Sequence, residues 1–305
     1  MCSACNAVEN IICLAGDFAM AIRPNSPQAK DIAYHLHPYT NAEVHEEIGP
    51  RIITGGDGVY VIDNDGNRYI EGLAGLWCTS LRLQRKAPRR RRHDVLFVAD
   101  EVICGFSRTG NMFGCETYDI KPDMMTVAKA LSSAYLPIAG AMISDEIYQA
   151  IKAESDRLGL FGTGYTYSGH PVPAAVALET LKIYEERDIL GHVRGIMPHF
   201  LERLHGFADH PLIGETRGVG LIGAVQMVPD KSKNEVFDPA LKVGPAAAKY
   251  CAAHRLIIRP LPGDAIAFCP PLIITKDQID DMFDSLAGAL DDTLDDLTRQ
   301  GAMAA

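Results

Sequence analysis

The sequence predicts an α/β protein, and three observations carry the prediction. A β-hairpin pattern lies near the start, a short apolar run closes on a carboxylate in the middle, and amphipathic helices follow it. Strands and helices thus alternate through the central part of the chain.

From Gly58 to Glu71, GVYVIDNDGNRYIE alternates apolar and polar residues on either side of Asn64-Asp65-Gly66-Asn67. Two strands joined by a tight turn are expected there. Leu73 to Cys78, LAGLWC, is apolar and holds the single tryptophan. Between Leu81 and His93 the text changes to LRLQRKAPRRRRH, a basic run without apolar periodicity that marks a seam. Asp94 to Asp100, DVLFVAD, suits a strand buried on both faces of a parallel sheet, and the carboxyl ends of such strands are where α/β proteins place chemistry. A second apolar stretch, Met124 to Leu131, contains Lys129, and Ala139 to Ile143 supplies a further strand. Ser144-Asp145-Glu146 then starts a helix, with acids suited to the helix dipole.

Apolar residues at spacings of three and four from Ala174 to Leu204 predict amphipathic helices. Thr275 with Gln278 forms a capping box, and Ile279, Phe283, Leu286, Leu290, Leu294 and Leu297 continue on one helical face. Gly218-Val219-Gly220-Leu221-Ile222-Gly223 fits a dinucleotide-binding pattern, but that pattern acts only where a helix follows it. AVQMVPD follows and reads as strand, so these glycines are expected to permit close backbone approach within a sheet.

Composition narrows the function. The 305 residues are 47% hydrophobic and 22% charged, with a formal net charge of -10, so an ordinary core of about two domains is expected. The acidic balance argues against nucleic acid as a partner and reduces Arg89 to Arg92 to a solvated loop. No run of about 18 apolar residues is present to span a bilayer, and the opening lacks a basic leader, so no membrane partner and a cytoplasmic address are expected. Eight cysteines are scattered without the spacing of a disulfide framework. Cys2, Cys5 and Cys13 lack the further ligands that a zinc site needs, so no metal is expected.

Asp100 and Lys129 are the residues to weigh for catalysis. Alone, a strand-end aspartate is usually a cap or salt-bridge partner, and a lysine is usually on the surface. Together they have the inventory of a pyridoxal 5'-phosphate site: a lysine to form the Schiff base and a carboxylate to pair with the pyridinium nitrogen. Burial of Lys129 in its apolar stretch would make it nucleophilic near neutral pH.

The string DEVICGFSRTGNMFGCETYDIKPDMMTVAKALSSAYLPIAGAMIS, from Asp100 to Ser144, closely resembles the catalytic segment of class III pyridoxal-phosphate-dependent aminotransferases, especially the ω-amino acid or amine:pyruvate transaminases. HPYTN at His37, TYSGHP at Thr166, ETRGVGLIGA at Glu215 and IIRPLPGDAIAFCPPLIIT ending at Thr275 extend the resemblance over most of the chain. It implies a type I pyridoxal-phosphate transferase fold, with a large domain of mixed or parallel sheet and a smaller α+β domain. The N-terminal segment of the small domain would be residues 1–80, the seam 81–93, the remnant of the large domain 94–190, and the C-terminal small domain 191–305.

Position by position, the resemblance implies that Lys129 carries the cofactor and moves the substrate proton, while Asp100 keeps the ring nitrogen protonated. Val102 would pack against the ring, and Thr166 would reach the phosphate of a neighbouring subunit, making the protein a homodimer. Arg259 would clasp a substrate carboxylate, and Leu76 and Trp77 would wall the substrate pocket. The reaction implied is transfer of an amino group from an amine or ω-amino acid to a keto acid such as pyruvate.

The chain also departs from the family. Only about twenty residues separate Trp77 from Asp100, too few for the domain that belongs there. The missing portion would contain the Ser/Thr-Gly-Ser turn that cradles the phosphate, the aromatic residue stacked on the ring, and strands of the large sheet. Impaired activity is therefore expected, and an alternative stays open: a non-catalytic remnant acting as a binding or interaction protein.

Overall fold

The computed structural model describes residues 26–34, 45, 49–57, 59–71, 95–233 and 235–303. Along the chain run α1 (Pro27–Tyr34), β1 (Ile53–Asp57), β2 (Tyr60–Asp63), β3 (Arg68–Glu71), β4 (Val98–Asp100), α2 (Gly114–Thr117) and β5 (Met124–Val127). A single 3-10 turn at Lys129–Leu131 precedes β6 (Gly140–Ile143), α3 (Asp145–Leu158), α4 (Pro171–Glu186) and α5 (Ile189–His205). There follow β7 (Ile213–Val219), β8 (Ile222–Met227), α6 (Val243–Ala253), β9 (Leu256–Ile257), β10 (Arg259–Leu261), β11 (Ala265–Phe268) and α7 (Lys276–Arg299). The architecture is mixed α/β, as the sequence predicts. Two compact units form, one from Met1–Leu76 with Pro198–Ala305 and the other from Trp77–Met197.

In the first unit, β1, β2 and β3 form an antiparallel meander whose last strand pairs in parallel with β9, Ile70 opposite Leu256. The turn between β2 and β3 is organised by Asp63, whose Oδ1 accepts the N–H groups of Asp65 at 3.0 Å and Asn67 at 2.8 Å. A second sheet runs in the order β10-β11-β8-β7, antiparallel throughout. Gly218 and Gly223 face each other across its β7–β8 hairpin. A Cβ on either would run into the side chain of Leu204 on α5, so the glycines let helix and sheet close on one another. A strand follows them, not a helix.

Helix α7 opens on the expected capping box: Thr275 Oγ1 accepts the Gln278 N–H at 3.3 Å, and Gln278 Oε1 accepts the Thr275 N–H at 3.0 Å. Its Ile279, Phe283, Leu286, Leu290 and Leu297 are buried. Phe283 lies 5.4 Å from the Phe200 ring and 5.3 Å from Phe268, placing the core of this unit between α5, α7 and the second sheet.

The second unit holds a three-stranded sheet, β4-β5-β6. Strand β4 is parallel to β5, with Asp100 opposite Thr126, and β5 is antiparallel to β6. Ser144 caps α3, its Oγ accepting the Ile147 N–H. The expectation of a strand over 94–100 buried on both faces is corrected: the ladder covers Val98–Asp100, and Val95, Leu96 and Val98 are 59%, 58% and 49% exposed. Apolar composition signals a buried strand only where neighbours cover it, and among the described residues β4 pairs with β5 alone.

Candidate active site

The two residues weighed for catalysis emerge from the same end of the sheet. Asp100 closes β4, and Lys129 follows β5 by two residues, so both lie at the carboxyl ends of adjacent parallel strands. The Asp100 carboxylate is fixed by its neighbours: Oδ1 accepts the Thr126 hydroxyl and the Val102 N–H, each at 3.1 Å. Val102 thus stands beside Asp100, in a turn.

Lys129 is exposed, contrary to the burial expected from its apolar surroundings in sequence. Its backbone explains this. Lys129 has φ 44°, in the left-handed region, and Ser133 at 50° and Ala134 at 63° share that conformation. Non-glycine residues held there cost on the order of 1–3 kcal/mol each and persist only where surroundings enforce them. Here the enforcement is a set of hydrogen bonds. Lys129 O accepts the N–H groups of Ser132 at 3.2 Å and Ala134 at 3.3 Å, while Ser132 Oγ donates to Leu136 O at 2.7 Å. The Tyr184 hydroxyl, from α4, donates to Ala130 O at 2.8 Å. These bonds hold Lys129 in a turn just past the end of β5, where it is exposed.

The loop after β4 is anchored by Glu101, a residue the sequence reading passed over. Alternation along an extended segment sends adjacent side chains to opposite faces. Asp100 is exposed, while Glu101 is only 3% exposed. Glu101 accepts the N–H groups of Gly114 at 2.7 Å and Cys115 at 2.6 Å, at the start of α2. A Cβ on Gly114 would lie 2.7 Å from Cys104 Cβ and 3.1 Å from Glu101 Oε2, so only glycine fits this approach. Burial, together with the Glu101 charge, pushes the Cys115 thiol up to about 11, leaving it protonated at neutral pH. Farther along the loop, Arg194 of α5 donates from Nε to Gly110 O at 2.7 Å and from Nη2 to Asn111 Oδ1 at 3.1 Å.

Thr166 is exposed in the turn preceding α4, within the same unit as Asp100 and Lys129. Arg259 belongs to the other unit, at the start of β10, with its Nε and Nη1 atoms buried. Leu76, Trp77, Cys2, Cys5, Cys13, the HPYTN segment and Arg89 to Arg92 lie outside the described residues. Among the described residues no group of three or more His, Cys, Asp and Glu side chains could hold a metal ion, and no helix is long and apolar enough to cross a membrane.

Known proteins resemble the chain in family and in fold. The aminotransferase class-III family matches residues 83–290, more than half of the chain. A gamma aminobutyrate transaminase 3 of Solanum lycopersicum, named as chloroplastic, is 48% identical over 203 residues, covering 67% of this chain and 39% of the relative. An uncharacterized aminotransferase, y4uB, of Sinorhizobium fredii is 44% identical over 213 residues, covering 69% of this chain and 46% of the relative. The chain therefore spans less than half the length of these curated relatives. A transaminase solved with L-ala is 47% identical with a TM-score of 0.66, covering 68% of this chain and 49% of that one. The omega transaminase of Pseudomonas jessenii in complex with PMP is 28% identical with a TM-score of 0.79, covering 88% of this chain and 98% of that one. The fold is that of these transaminases, the type I pyridoxal-phosphate transferase fold, and the chain belongs to the class-III aminotransferase family.

Proposed function

We propose that the chain is a pyridoxal 5'-phosphate-dependent aminotransferase that moves an amino group from an amine or ω-amino acid to a keto acid such as pyruvate. The observation that carries this reading is the emergence of Asp100 and Lys129 from adjacent parallel strand ends. Their chemistry fits the ring end of the cofactor. The carboxylate is oriented by the Thr126 hydroxyl and the Val102 N–H, and the lysine is presented to solvent by a left-handed turn. Relatives named for gamma-aminobutyrate support an ω-amino acid as donor, and the neighbour solved with L-ala supports the pyruvate/alanine pair.

In this reading Asp100 would pair with the cofactor's ring nitrogen and keep it protonated, and Val102 would pack against the ring. Lys129 Nζ anchors the cofactor between turnovers, takes up the proton leaving the donor's amine-bearing carbon, and returns it to complete the transfer. Pyridoxal phosphate supplies, when bound, the electron sink for the pair left on that carbon. Arg259 would bind the carboxylate of the keto acid through its planar fork. Thr166 serves the phosphate of a second copy, so the working form is a homodimer. A cytoplasmic location belongs to the same proposal, and the chloroplastic and mitochondrial names of relatives set the compartments against which fractionation would test it.

The exposed Val95, Leu96 and Val98 favour a second reading, a chain that keeps the fold but acts only as a binding protein. One assay separates the two. Purified chain is incubated with excess pyridoxal 5'-phosphate, gamma-aminobutyrate and pyruvate, and alanine is measured. Alanine that disappears in Lys129→Ala is expected; absence of alanine, or alanine undiminished in Lys129→Ala, contradicts the aminotransferase reading.

A further inference from the structure

Among the described residues, the Tyr184 side chain reaches the Lys129 turn from outside its own segment. Fifty-four residues later in the chain, on α4, its hydroxyl donates to Ala130 O at 2.8 Å. That carbonyl also accepts the Ser133 N–H at 3.2 Å, so one oxygen gathers a local and a distant donor. The peptide unit between Ala130 and Leu131 is therefore fixed in place, inside the turn in which Lys129 holds its left-handed φ of 44°.

The surroundings of Tyr184 agree. Burial raises its phenol, while the Ser133 hydroxyl and the charge of Arg108 act in the opposite direction. The hydroxyl thus remains a protonated donor and sits among residues of the turn and of the loop after β4. The same helix begins just after the turn that carries Thr166.

We infer that Tyr184 is a positioning residue for Lys129: its hydroxyl holds the 129–134 turn in the strained conformation that keeps the lysine amine beside the carboxyl end of β5. The inference deepens the aminotransferase reading and rests on it for the use made of the amine. The mechanical part stands without cofactor.

Tyr184→Phe removes the hydroxyl and keeps the ring that packs α4, so the substituted chain is expected to fold with a melting temperature near that of the parent. Two readouts follow. In cofactor-free protein, amide hydrogen exchange of a peptide spanning 129–136 should quicken about fivefold, the loss of one ordinary hydrogen bond, while peptides from α7 stay unchanged. In protein incubated with pyridoxal 5'-phosphate and then reduced with borohydride, the share of label on Lys129 relative to other lysines should fall by a similar factor. Unchanged exchange at 129–136 overturns the inference whatever the cofactor does, and so does faster exchange with an unchanged Lys129 share. If the parent chain puts no selective label on Lys129, it is the aminotransferase reading that fails, and the exchange result alone decides whether Tyr184 holds the turn. Should Tyr184→Phe lower the melting temperature sharply, Tyr184→Trp offers a donor N–H from a ring and is expected to restore part of the protection at 129–136; no restoration overturns the inference.

Discussion

The Thr126 hydroxyl donates to Asp100 Oδ1 at 3.1 Å across the parallel pair β4–β5, so the strand preceding Lys129 also orients the carboxylate proposed to face the cofactor ring. Thr126→Val keeps the β-branched shape that suits the strand and removes only the donor. The hydrogen bond lies toward solvent and contributes about 0.5–1.5 kcal/mol. Pyridoxal 5'-phosphate affinity, read by absorbance titration, should weaken roughly two- to tenfold with little change in melting temperature. An unchanged affinity would show that Asp100 needs no help from Thr126.

Asp63 makes the first unit sensitive to acid. Burial alone would raise its carboxyl, but hydrogen bonds from Asn67, Tyr69 and Asp65 outweigh that and hold it below the usual carboxylate value. A folded-state pKa lower than the unfolded one means that the stabilisation is complete above the unfolded value, about pH 4, and disappears as pH falls through the lower folded value. The melting temperature should therefore drop on acidification below about pH 4. Asp63→Asn should lower it at neutral pH and flatten the acid limb. An acid limb as steep in Asp63→Asn as in the parent would assign the effect elsewhere.

Gly223 is packed against Leu204 so closely that any Cβ must displace it. Gly223→Ala should destabilise the chain by about 1–3 kcal/mol through overpacking of α5 on the β7–β8 hairpin. Urea unfolding checks this, and a second substitution, Leu204→Ala, should recover part of the loss. A neutral Gly223→Ala would mean that helix and sheet separate easily here.

Arg259 is 9% exposed, and its proposed partner is a carboxylate of the substrate. Replacing it with alanine should raise the KM for pyruvate far more than the KM for a donor amine that lacks a carboxylate, because only the acid uses the guanidinium fork. Equal losses for both substrates would make Arg259 a structural residue.

What could be read from the sequence was whatever depends on neighbours in sequence. The Asp63–Asn67 turn, the Ser144 cap and the Thr275–Gln278 box each use residues two to four apart, so the residues themselves announced them. The pair Asp100 and Lys129 was legible as chemistry and by resemblance. Their proximity at neighbouring strand ends needed the β4–β5 pairing to be seen. Glu101 was overlooked because alternation says that adjacent acids face opposite ways but not which one is buried. Tyr184 reaches Ala130 across 54 residues, a separation with no local signature. The exposure of DVLFVAD and of Lys129 was misjudged for one reason: apolar runs indicate burial only when the covering elements are present.

The central claim is that Lys129 takes the cofactor, and weakly. No Ser/Thr-Gly-Ser sequence occurs between Trp77 and Asp100, and such a segment would supply charge-assisted hydrogen bonds of about 1.5–3 kcal/mol each to the phosphate. Two or three such bonds amount to about 3–9 kcal/mol of lost affinity. Borohydride reduction followed by peptide mass mapping tests both halves directly. With excess pyridoxal 5'-phosphate the label should concentrate on Lys129, and after gel filtration without added cofactor it should fall well below one per chain. Label spread evenly over surface lysines in excess cofactor would contradict the assignment of Lys129, and stoichiometric label at Lys129 surviving gel filtration would contradict the weak hold.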